Sequence, residues 1–260
     1  EKTEPGRVMD PAATPRRGHA SVDAERRNQK ARKIAAILAT RTDLAQSDVL
    51  DLGAGSGDIS AHFQDVARSV TAADRDTAPF RPEQVPVHRI EEAGLPFPAA
   101  SFDVVIFNHV IEHVGEPPEQ LQTLKDIRRV MRPSGLLYLA APSRWAIIKP
   151  HYRLPFLSWL PRTLADRAVR ACGRGTWYDC VPHGNARLRS FLRQADFEVE
   201  DVTVEALLHL LRIEHGGRLA ERVARRAPHS LLRTIVPAMP TFVLIGRRAR
   251  SRLTPRADDP

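Results

Sequence analysis

Apolar and polar residues follow two alternating patterns through the middle of the chain. Short apolar runs of strand length occupy 49–52, 69–73, 101–108, 136–140, 199–204 and 241–246. A helix is predicted after the first run, at 59–67, and apolar residues recur at helical spacing at 25–40, 117–131 and 188–195. Continuous apolar strands that alternate with amphipathic helices are typical of an α/β protein with a buried, largely parallel sheet.

The helical segments have recognisable faces and ends. Their apolar faces comprise Ile34, Ile37 and Leu38 in the first, Leu121, Leu124, Ile127 and Val130 in the second, and Leu188, Phe191, Leu192 and Ala195 in the third. The sequence Pro133-Ser134-Gly135 ends the second helix, and Asn185 is the predicted N-cap of the third. These faces predict helices that pack against the sheet.

The most informative segment joins the first strand to the helix that follows it. Three glycines, Gly53, Gly55 and Gly57, stand at alternate positions around Ala54. Glycine permits a tight turn and a close approach of backbone N–H groups to a ligand. The spacing differs from the G-x-G-x-x-G pattern that cradles a pyrophosphate, and Asp51 precedes the turn. An acid at this place favours a ligand with a cationic amine, although a glycine-rich turn alone also fits an ordinary strand–turn–helix.

Further acids continue the pattern along the chain. Asp74 ends the second strand about twenty residues beyond the glycines, where a nucleotide-binding unit carries a ribose-binding acid. Glu91 and Glu92 follow, and the strand at 101–108 leads into His109-Val110-Ile111-Glu112-His113-Val114.

The order and spacing of these motifs, from about Val49 to Pro142, resemble those of class I S-adenosylmethionine (SAM)-dependent methyltransferases. The resemblance is to the group that includes the ubiquinone and menaquinone biosynthesis methyltransferases. It implies a Rossmann-like, seven-stranded, mostly parallel sheet with helices on both faces and an antiparallel pair of strands at one edge. It also implies SAM as cofactor and S-adenosylhomocysteine as product.

Matched motif by motif, the resemblance implies contacts to the methionine and ribose parts of SAM. The methionine end would be held by Asp51 and by the loop of Gly53, Ala54, Gly55 and Gly57. The Asp74 carboxylate would bind both ribose hydroxyls, because a carboxylate can accept two hydrogen bonds side by side.

The same matching implies contacts to the adenine and the methyl group. Glu91 aligns with the acid that meets the adenine amino group, and the backbone of Glu92 would complete that contact. Arg75 stands where the family has an apolar residue, and its stem or guanidinium plane can stack on the adenine instead. Asn108 and His109 would border the methionine moiety and the methyl group.

The regions outside these motifs are predicted from composition and length. Residues 1–23 and 251–260 are expected to be flexible tails around a methyltransferase domain at 24–250. A second insert at 207–240 is expected to form a further wall of the acceptor pocket. The insert at 145–184 is expected to cap the methyl group, because long loops in compact domains are usually functional or disordered, and its aromatics argue against disorder. Its predicted acceptor contacts are Trp145, His151, Tyr152, Trp177, Tyr178 and His183.

Methyl transfer to a hydroxyl is helped by a base, and histidine fits because its pKa lies near neutral pH. His109 follows the cofactor-lining strand and His151 lies in the cap insert, so these two are the candidate catalytic residues. His113 is assigned to packing. The Asn/Asp-Pro-Pro-Tyr/Phe motif of many nucleic-acid amino methyltransferases is absent after the fourth strand. We therefore expect an O-methyltransferase that acts on a small molecule or a glycan.

Two alternatives stay open. A C- or N-methyltransferase acting on a quinone, lipid-like or natural-product acceptor would use the same cofactor site. A protein of another class would bind SAM or a partner without catalysis. No metal is predicted, since His151, Asp179, Cys180 and His183 fit no zinc spacing. The acceptor and the oligomeric state are left open.

The net charge of +8 brings nucleic acid and anionic membranes into consideration as partners. Nucleic acid is disfavoured because the arginines are scattered and no basic–aromatic run occurs. The arginines at 218, 222, 225 and 226 share one helical face, which is predicted to be solvated, with lipid headgroups as the alternative. No apolar run of about eighteen residues and no signal-peptide core occurs, so we expect a cytoplasmic protein, with peripheral contact to the inner face of the membrane as the alternative.

Overall fold

Seven strands form one sheet: β1 (Asp48–Leu52), β2 (Ser69–Asp74), β3 (Val87–Arg89), β4 (Phe102–Asn108), β5 (Met131–Pro142), β6 (Phe197–Asp201) and β7 (Thr241–Arg248). The computed structural model describes residues 17–91, 94–144, 154, 157–173, 183–214, 236 and 239–249. The strand order is β3-β2-β1-β4-β5-β7-β6. Strands β1 to β5 pair in parallel, and β7 runs antiparallel to both of its neighbours. The predicted Rossmann-like sheet is confirmed, including its antiparallel edge.

Six α-helices lie in the described residues: α1 (Arg17–Ala39), α2 (Asp58–Gln64), α3 (Pro117–Val130), α4 (Arg162–Ala171), α5 (Asn185–Gln194) and α6 (Thr203–Glu214). Helices α1, α2 and α6 contribute buried residues to one face of the sheet, and α3 and α5 contribute them to the other. Within the described ranges, no helix is both long enough and apolar enough to cross a membrane.

The strands bury side chains on both faces, as a parallel sheet between two helical layers requires. In β4, Val104 and Ile106 pack in the cluster that contains α1, whereas Val105 and Phe107 pack in the cluster that contains α3. This alternation is the two-residue period of an extended strand. It also places Asp51, which shares its parity with Val49, on the α1 and α2 side of the sheet.

The predicted helical faces are largely confirmed, but some boundaries move. Ile34, Ile37 and Leu38 are fully buried in α1. The helix begins at Arg17 instead of residue 25, so residues 17–23, which were assigned to a tail, are helical. Helix α2 runs from Asp58 to Gln64 and is shorter than the predicted segment.

Two predicted element ends are wrong because side chains make contacts that periodicity does not reveal. The strand predicted at 199–204 ends at Asp201, whose Oδ1 accepts a hydrogen bond from the Thr203 amide at 3.0 Å and so starts α6. Asn185 is the first residue of α5 and not its N-cap, which is Gly184. The Asn185 amide group donates to Asp201 Oδ2 at 2.8 Å instead.

Helix α6 also changes the interpretation of the second insert. The first part of 207–240 belongs to this helix, which packs against α1 and β7. This part of the insert therefore covers the sheet. The further wall of the acceptor pocket stays a prediction, because most of the remaining insert lies outside the described residues. The arginine face at 218–226 lies outside the described residues. Strand β3 was not located by sequence because it is three residues long and two of them are exposed, so it has no apolar run.

Arg41 joins three elements at the end of α1. Its guanidinium donates to both carboxylate oxygens of Glu200 on β6, at 2.6 and 3.2 Å, and to both of Glu205 on α6, at 2.7 and 3.0 Å. It also donates to the Ile37 carbonyl at 2.9 Å. The Arg41 side chain is 11% exposed, so these paired contacts are screened less by water than surface ion pairs are.

We expect Arg41→Ala to lower the free energy of unfolding by about 1–3 kcal/mol, with the lower end set by the partial exposure of the two glutamates. Arg41→Lys should lose less, because it keeps the charge but not the paired geometry. Urea denaturation measures both. Arg68→Ala is the control, since that arginine binds Asp48 with a half-exposed side chain. If Arg41→Ala and Arg68→Ala lost the same free energy of unfolding, the contacts of Arg41 would not be more stabilising than an exposed ion pair.

Candidate active site

The carboxyl ends of β1, β2 and β4 meet at one edge of the sheet, beside a cavity of about 710 Å³. Ligands of open α/β sheets bind at this edge, where the strand order reverses. The lining includes residues after three strands and one side of α3: Leu52, Gly53, Asp74, Arg75, Glu91, Phe107, His109, Val110, His113, Glu119, Gln122, Thr123 and Asp126. A depression of similar volume near Leu44 is shallower and lies away from the strand ends.

The glycine turn brings backbone to the cavity. Gly53 has φ +75°, and a Cβ built there would lie 2.3 Å from Val110 Cγ2, so the turn after β1 packs directly against the turn after β4. Gly55 has φ +54°, and a Cβ built there would meet no atom within 4 Å. The Cα of Gly55 therefore faces open space, and its positive φ is the conformation that glycine permits.

Asp74 connects this turn to the end of β2. Its Oδ2 accepts from the Gly55 amide at 2.8 Å, and its Oδ1 accepts from the Asp76 amide at 3.1 Å. Each carboxylate oxygen keeps capacity for another donor. Asp74 lines the cavity, so both oxygens of one acid can meet a pair of ligand hydroxyls there.

Asp51 lies behind the turn and outside the cavity lining. It is 2% exposed, and it accepts from the Ser60 hydroxyl at 2.6 Å and from the Ser60 backbone. Burial raises the pKa of Asp51 to about 6, opposed by the two Ser60 hydrogen bonds and increased slightly by the charge of Asp74. A cationic ligand group nearby would favour the ionised form of this acid.

The end of the cavity next to β3 is fixed by α3. Asp126 Oδ2 accepts from the Leu95 amide at 2.5 Å, and Arg129 donates to the Leu95 carbonyl at 2.9 Å and the Phe97 carbonyl at 2.7 Å. Glu91 is exposed and lines this end, whereas Glu92 lies outside the described residues. Arg75 also lines the cavity and is exposed.

His109 has an unusual backbone and lies at the cavity. Its φ is +58°, which is uncommon for a residue other than glycine and is enriched at functional sites. The His109 amide donates to the Ala140 carbonyl at 2.8 Å, so the strained residue extends the pairing of β4 with β5. Its side chain is 26% exposed. Asn108, just before it, is partly buried at the end of β4 and is not part of the lining.

The pKa of His109 is lowered from the ordinary histidine value. Burial is the main cause, and the charges of Lys30 and Lys33 on α1 add to it. Glu112 acts in the opposite direction, with Oε1 at 3.4 Å from His109 Nδ1. His109 is therefore neutral at neutral pH, which is the state a proton acceptor needs.

His113 corrects one expectation. It was assigned to packing, but it is exposed and lines the cavity from the short 3₁₀ turn Ile111–His113. The three-residue turn points successive side chains in different directions. Ile111 and Glu112 are consequently buried and His113 is not.

His183 joins the end of the insert at 145–184 to the domain. It forms a bridge with Ser143, and the Arg144 amide donates to its carbonyl at 3.1 Å, so the two ends of the insert meet. The ring is buried, its Nε2 lies 2.8 Å from Gln120 Oε1, and burial lowers the pKa of His183 to about 4. These contacts give His183 a packing role in the described residues, and its contact with an acceptor stays a prediction.

The other predicted acceptor contacts lie outside the described residues: Trp145, His151, Tyr152, Trp177 and Tyr178. Four residues of this region were not predicted from the sequence: Glu112, Gln120, Lys30 and Asp126. Of these, only Glu112 lies within a motif that the sequence analysis used. Among the residues that the structure describes, no group of three or more His, Cys, Asp or Glu side chains is placed to hold a metal ion.

Comparison with known proteins identifies the family. Residues 22–202 match a family described as a methyltransferase domain. The chain is 32% identical over 191 residues to a probable SAM-dependent methyltransferase of Mycolicibacterium smegmatis, covering 70% of this chain. It is 28% identical over 181 residues to the ubiquinone biosynthesis O-methyltransferase of Xanthomonas oryzae pv. oryzae, covering 64% of this chain and 69% of that protein.

A crystal structure of a SAM-dependent methyltransferase from Mesorhizobium loti has the same fold, with a TM-score of 0.53, 16% identity, and coverage of 82% of this chain and 96% of that one. Fold and family match together define a Rossmann-like methyltransferase domain. The chain belongs to the methyltransferase domain family, and its cofactor is SAM. The chain spans 65% of the length of the mycobacterial relative, so the activity of the whole protein is taken up below as a proposal.

Asp51→Asn should make stability less dependent on pH. The folded-state pKa of about 6 exceeds the unfolded value near 3.8, so the folded state binds the proton more tightly and stability falls as pH rises between these values. Above pH 6 the ionised acid costs about 3 kcal/mol by this difference. The variant should therefore gain about 1–3 kcal/mol relative to wild type between pH 4 and pH 7, measured by urea denaturation without ligand.

Asp65→Asn is the matched control, because Asp65 is an exposed aspartate at the end of α2. The difference from wild type should change with pH more strongly in Asp51→Asn than in this control. A pH-independent difference for Asp51→Asn would mean that burial does not perturb the titration of Asp51.

Proposed function

We propose that this protein transfers the methyl group of SAM to a hydroxyl of a small-molecule or glycan acceptor. The observation that carries the proposal is a neutral histidine, His109, at the cavity beside the carboxyl ends of the strands. The printed name of the Xanthomonas relative, an O-methyltransferase, is consistent with a hydroxyl acceptor. Family membership supports SAM-dependent transfer more broadly, whichever atom receives the methyl group.

The residues at the strand ends suit the parts of the cofactor. Asp74 offers two carboxylate oxygens to the ribose hydroxyls, and the Gly55 amide holds one of these oxygens in place. The negative charge of Asp51 suits the positively charged methionine end, acting from behind the loop of Gly53, Ala54, Gly55 and Gly57. Glu91 and Arg75 lie where the adenine would reach, with Glu92 and Asn108 as the remaining predicted contacts.

When bound, SAM supplies a methyl group that is attached to a positively charged sulfur. On transfer of the methyl group, the sulfur keeps the electron pair of the broken carbon–sulfur bond. The protein has to align an acceptor oxygen with that methyl group and exclude water from the site. The acceptor oxygen forms the new bond to the methyl carbon as the carbon–sulfur bond breaks. The hydroxyl proton passes to the ring of His109, which is unprotonated at neutral pH. His151 remains the alternative base within the cap insert.

Asp74→Ala should weaken binding of S-adenosylhomocysteine by about tenfold to a hundredfold, because hydrogen bonds to a charged acceptor contribute roughly 1.5–3 kcal/mol. Calorimetry measures the affinity, and a thermal melt checks that the variant is folded. Asp76→Ala is the control, since it keeps the backbone amide that binds Asp74 and removes an exposed carboxylate that accepts from the Ala78 amide at 3.0 Å. Unchanged affinity in Asp74→Ala would exclude the ribose assignment.

His109→Asn should lower kcat by about 10²-fold or more while SAM affinity stays near that of wild type. Asparagine tolerates a positive φ, so the substitution removes the ring without forcing the backbone. In the wild type, kcat should rise with pH as His109 loses its proton, with a midpoint below the free histidine value of about 6.5. The variant should lose this limb.

The assay supplies SAM with a panel of catechols, phenols and sugars, and follows S-adenosylhomocysteine release together with the mass of the product. His88→Asn is the control, because His88 is exposed on β3. If His109→Asn and His151→Asn each keep near-full kcat, the reaction uses no histidine base. A readily ionised acceptor, such as an acidic phenol, a carboxylate or an amine, would then replace the alcohol.

A further inference from the structure

Glu112 is a buried acid whose charge lacks the usual hydrogen bonds. The residue is 2% exposed, and neither of its carboxylate oxygens has a hydrogen-bond partner among the described residues. An ionised carboxylate in this state is costly, so a native structure keeps one only where a cation or a donor compensates it. Three groups act on it electrostatically: His109, Lys30 and His183.

His109 is the group best placed to donate to Glu112. Its Nδ1 lies 3.4 Å from Glu112 Oε1, which is slightly longer than a normal hydrogen bond. Catalytic hydrogen bonds are often long before ligands bind and tighten in the complex. His183 is already committed, because its Nε2 faces Gln120 Oε1 at 2.8 Å while the Gln120 amide group donates to the Ile111 carbonyl at 3.1 Å.

We propose that Glu112 is a positioning residue, which accepts a hydrogen bond from the Nδ1–H of His109 and so leaves Nε2 unprotonated as the proton acceptor. The two ring nitrogens of a neutral histidine cannot both carry a proton, so fixing one fixes the other. Glu112 lies on the 3₁₀ turn Ile111–His113, and His109, whose φ is positive, lies three residues before it. This inference rests on the proposed function of His109 as base.

Charges from two elements act on this pair. Lys30 and Lys33 face His109 from α1, and Glu112 faces it from the 3₁₀ turn. Glu112 favours the protonated ring, and the two lysines disfavour it. Lys30 itself is partly buried, which lowers its pKa, and the charge of Glu112 opposes that shift. The lysines and the acid therefore act against each other on the proton affinity of His109.

Nitrogen-15 NMR of the histidine rings tests the proposal without an acceptor. In the wild type at neutral pH, the His109 spectrum should show a protonated Nδ1 and an unprotonated Nε2. Glu112→Gln keeps an acceptor oxygen of the same reach, so it should keep this tautomer while the pKa of His109 falls further. Glu112→Leu should give a mixture of the two tautomers. Asp58→Asn, on the other side of the glycine turn, serves as the control and should change neither property.

Lys30→Met should change the pKa of His109 in the opposite direction while Glu112 stays in place. It should raise the pKa of His109 and leave the tautomer as in the wild type. An unchanged tautomer in Glu112→Leu would overturn the positioning role and leave Glu112 as a packing residue. If the Glu112 variants do not fold, the wild-type spectrum still decides, because an Nε2-protonated ring excludes the proposal. Loss of kcat in His109→Asn with an unchanged tautomer in Glu112→Leu would refute this inference alone, whereas full kcat in His109→Asn would refute the base itself.

Discussion

The hydrogen bond from the Gly55 amide to the Asp74 carboxylate joins the ends of two parallel strands, and the shape of the cavity depends on it. β1 and β2 lie side by side, so the turn after one and the acid at the end of the other reach the same edge. The contact between Gly53 and Val110 adds the end of β4 to this arrangement. A larger residue at Gly53 would separate the two turns, because its Cβ would overlap Val110.

Burial shifts the pKa values of Asp51 and His109 in opposite directions, and each shift favours the uncharged form of its group. It raises the pKa of Asp51 to about 6 and lowers the pKa of His109. For Asp51 this costs stability at neutral pH, and a cationic ligand would offset the cost. For His109 it keeps the ring unprotonated, which is what the proposed proton transfer requires. In the folded protein, the protonation states of Asp51 and His109 therefore suit a bound ligand and the proposed reaction more than they favour stability without a ligand.

Helix α3 contacts both the end of the cavity next to β3 and the insert at 145–184. Near one end of the helix, Asp126 and Arg129 hold the backbone at Leu95 and Phe97. Nearer its start, Gln120 contacts both the Ile111 carbonyl and the His183 ring. The insert therefore returns to the domain beside the 3₁₀ turn Ile111–His113, which carries Glu112 and follows His109.

Local sequence determined the sheet, the glycine turn, Asp74 and the position of His109, because each depends on patterns within one strand and its following turn. Apolar runs specify buried strands, and the spacing of the glycines specifies the turn whatever the rest of the chain does. It did not determine the end of β6, where Asp201 binds Thr203, or the exposure of His113. Nor did it locate β3, whose short exposed strand has no apolar pattern.

Tertiary structure alone decided which polar groups meet. Lys30 reaches the His109 region from α1, and Gln120 reaches His183 from α3, across separations in sequence that no periodicity encodes. The sequence placed Glu112 three residues after His109, but only the folded chain shows that Glu112 is buried with its Oε1 at 3.4 Å from His109 Nδ1. Periodicity records which residues are buried, since burial repeats with the backbone. It does not record the partners of a buried charge, because those are set by the packing of distant elements.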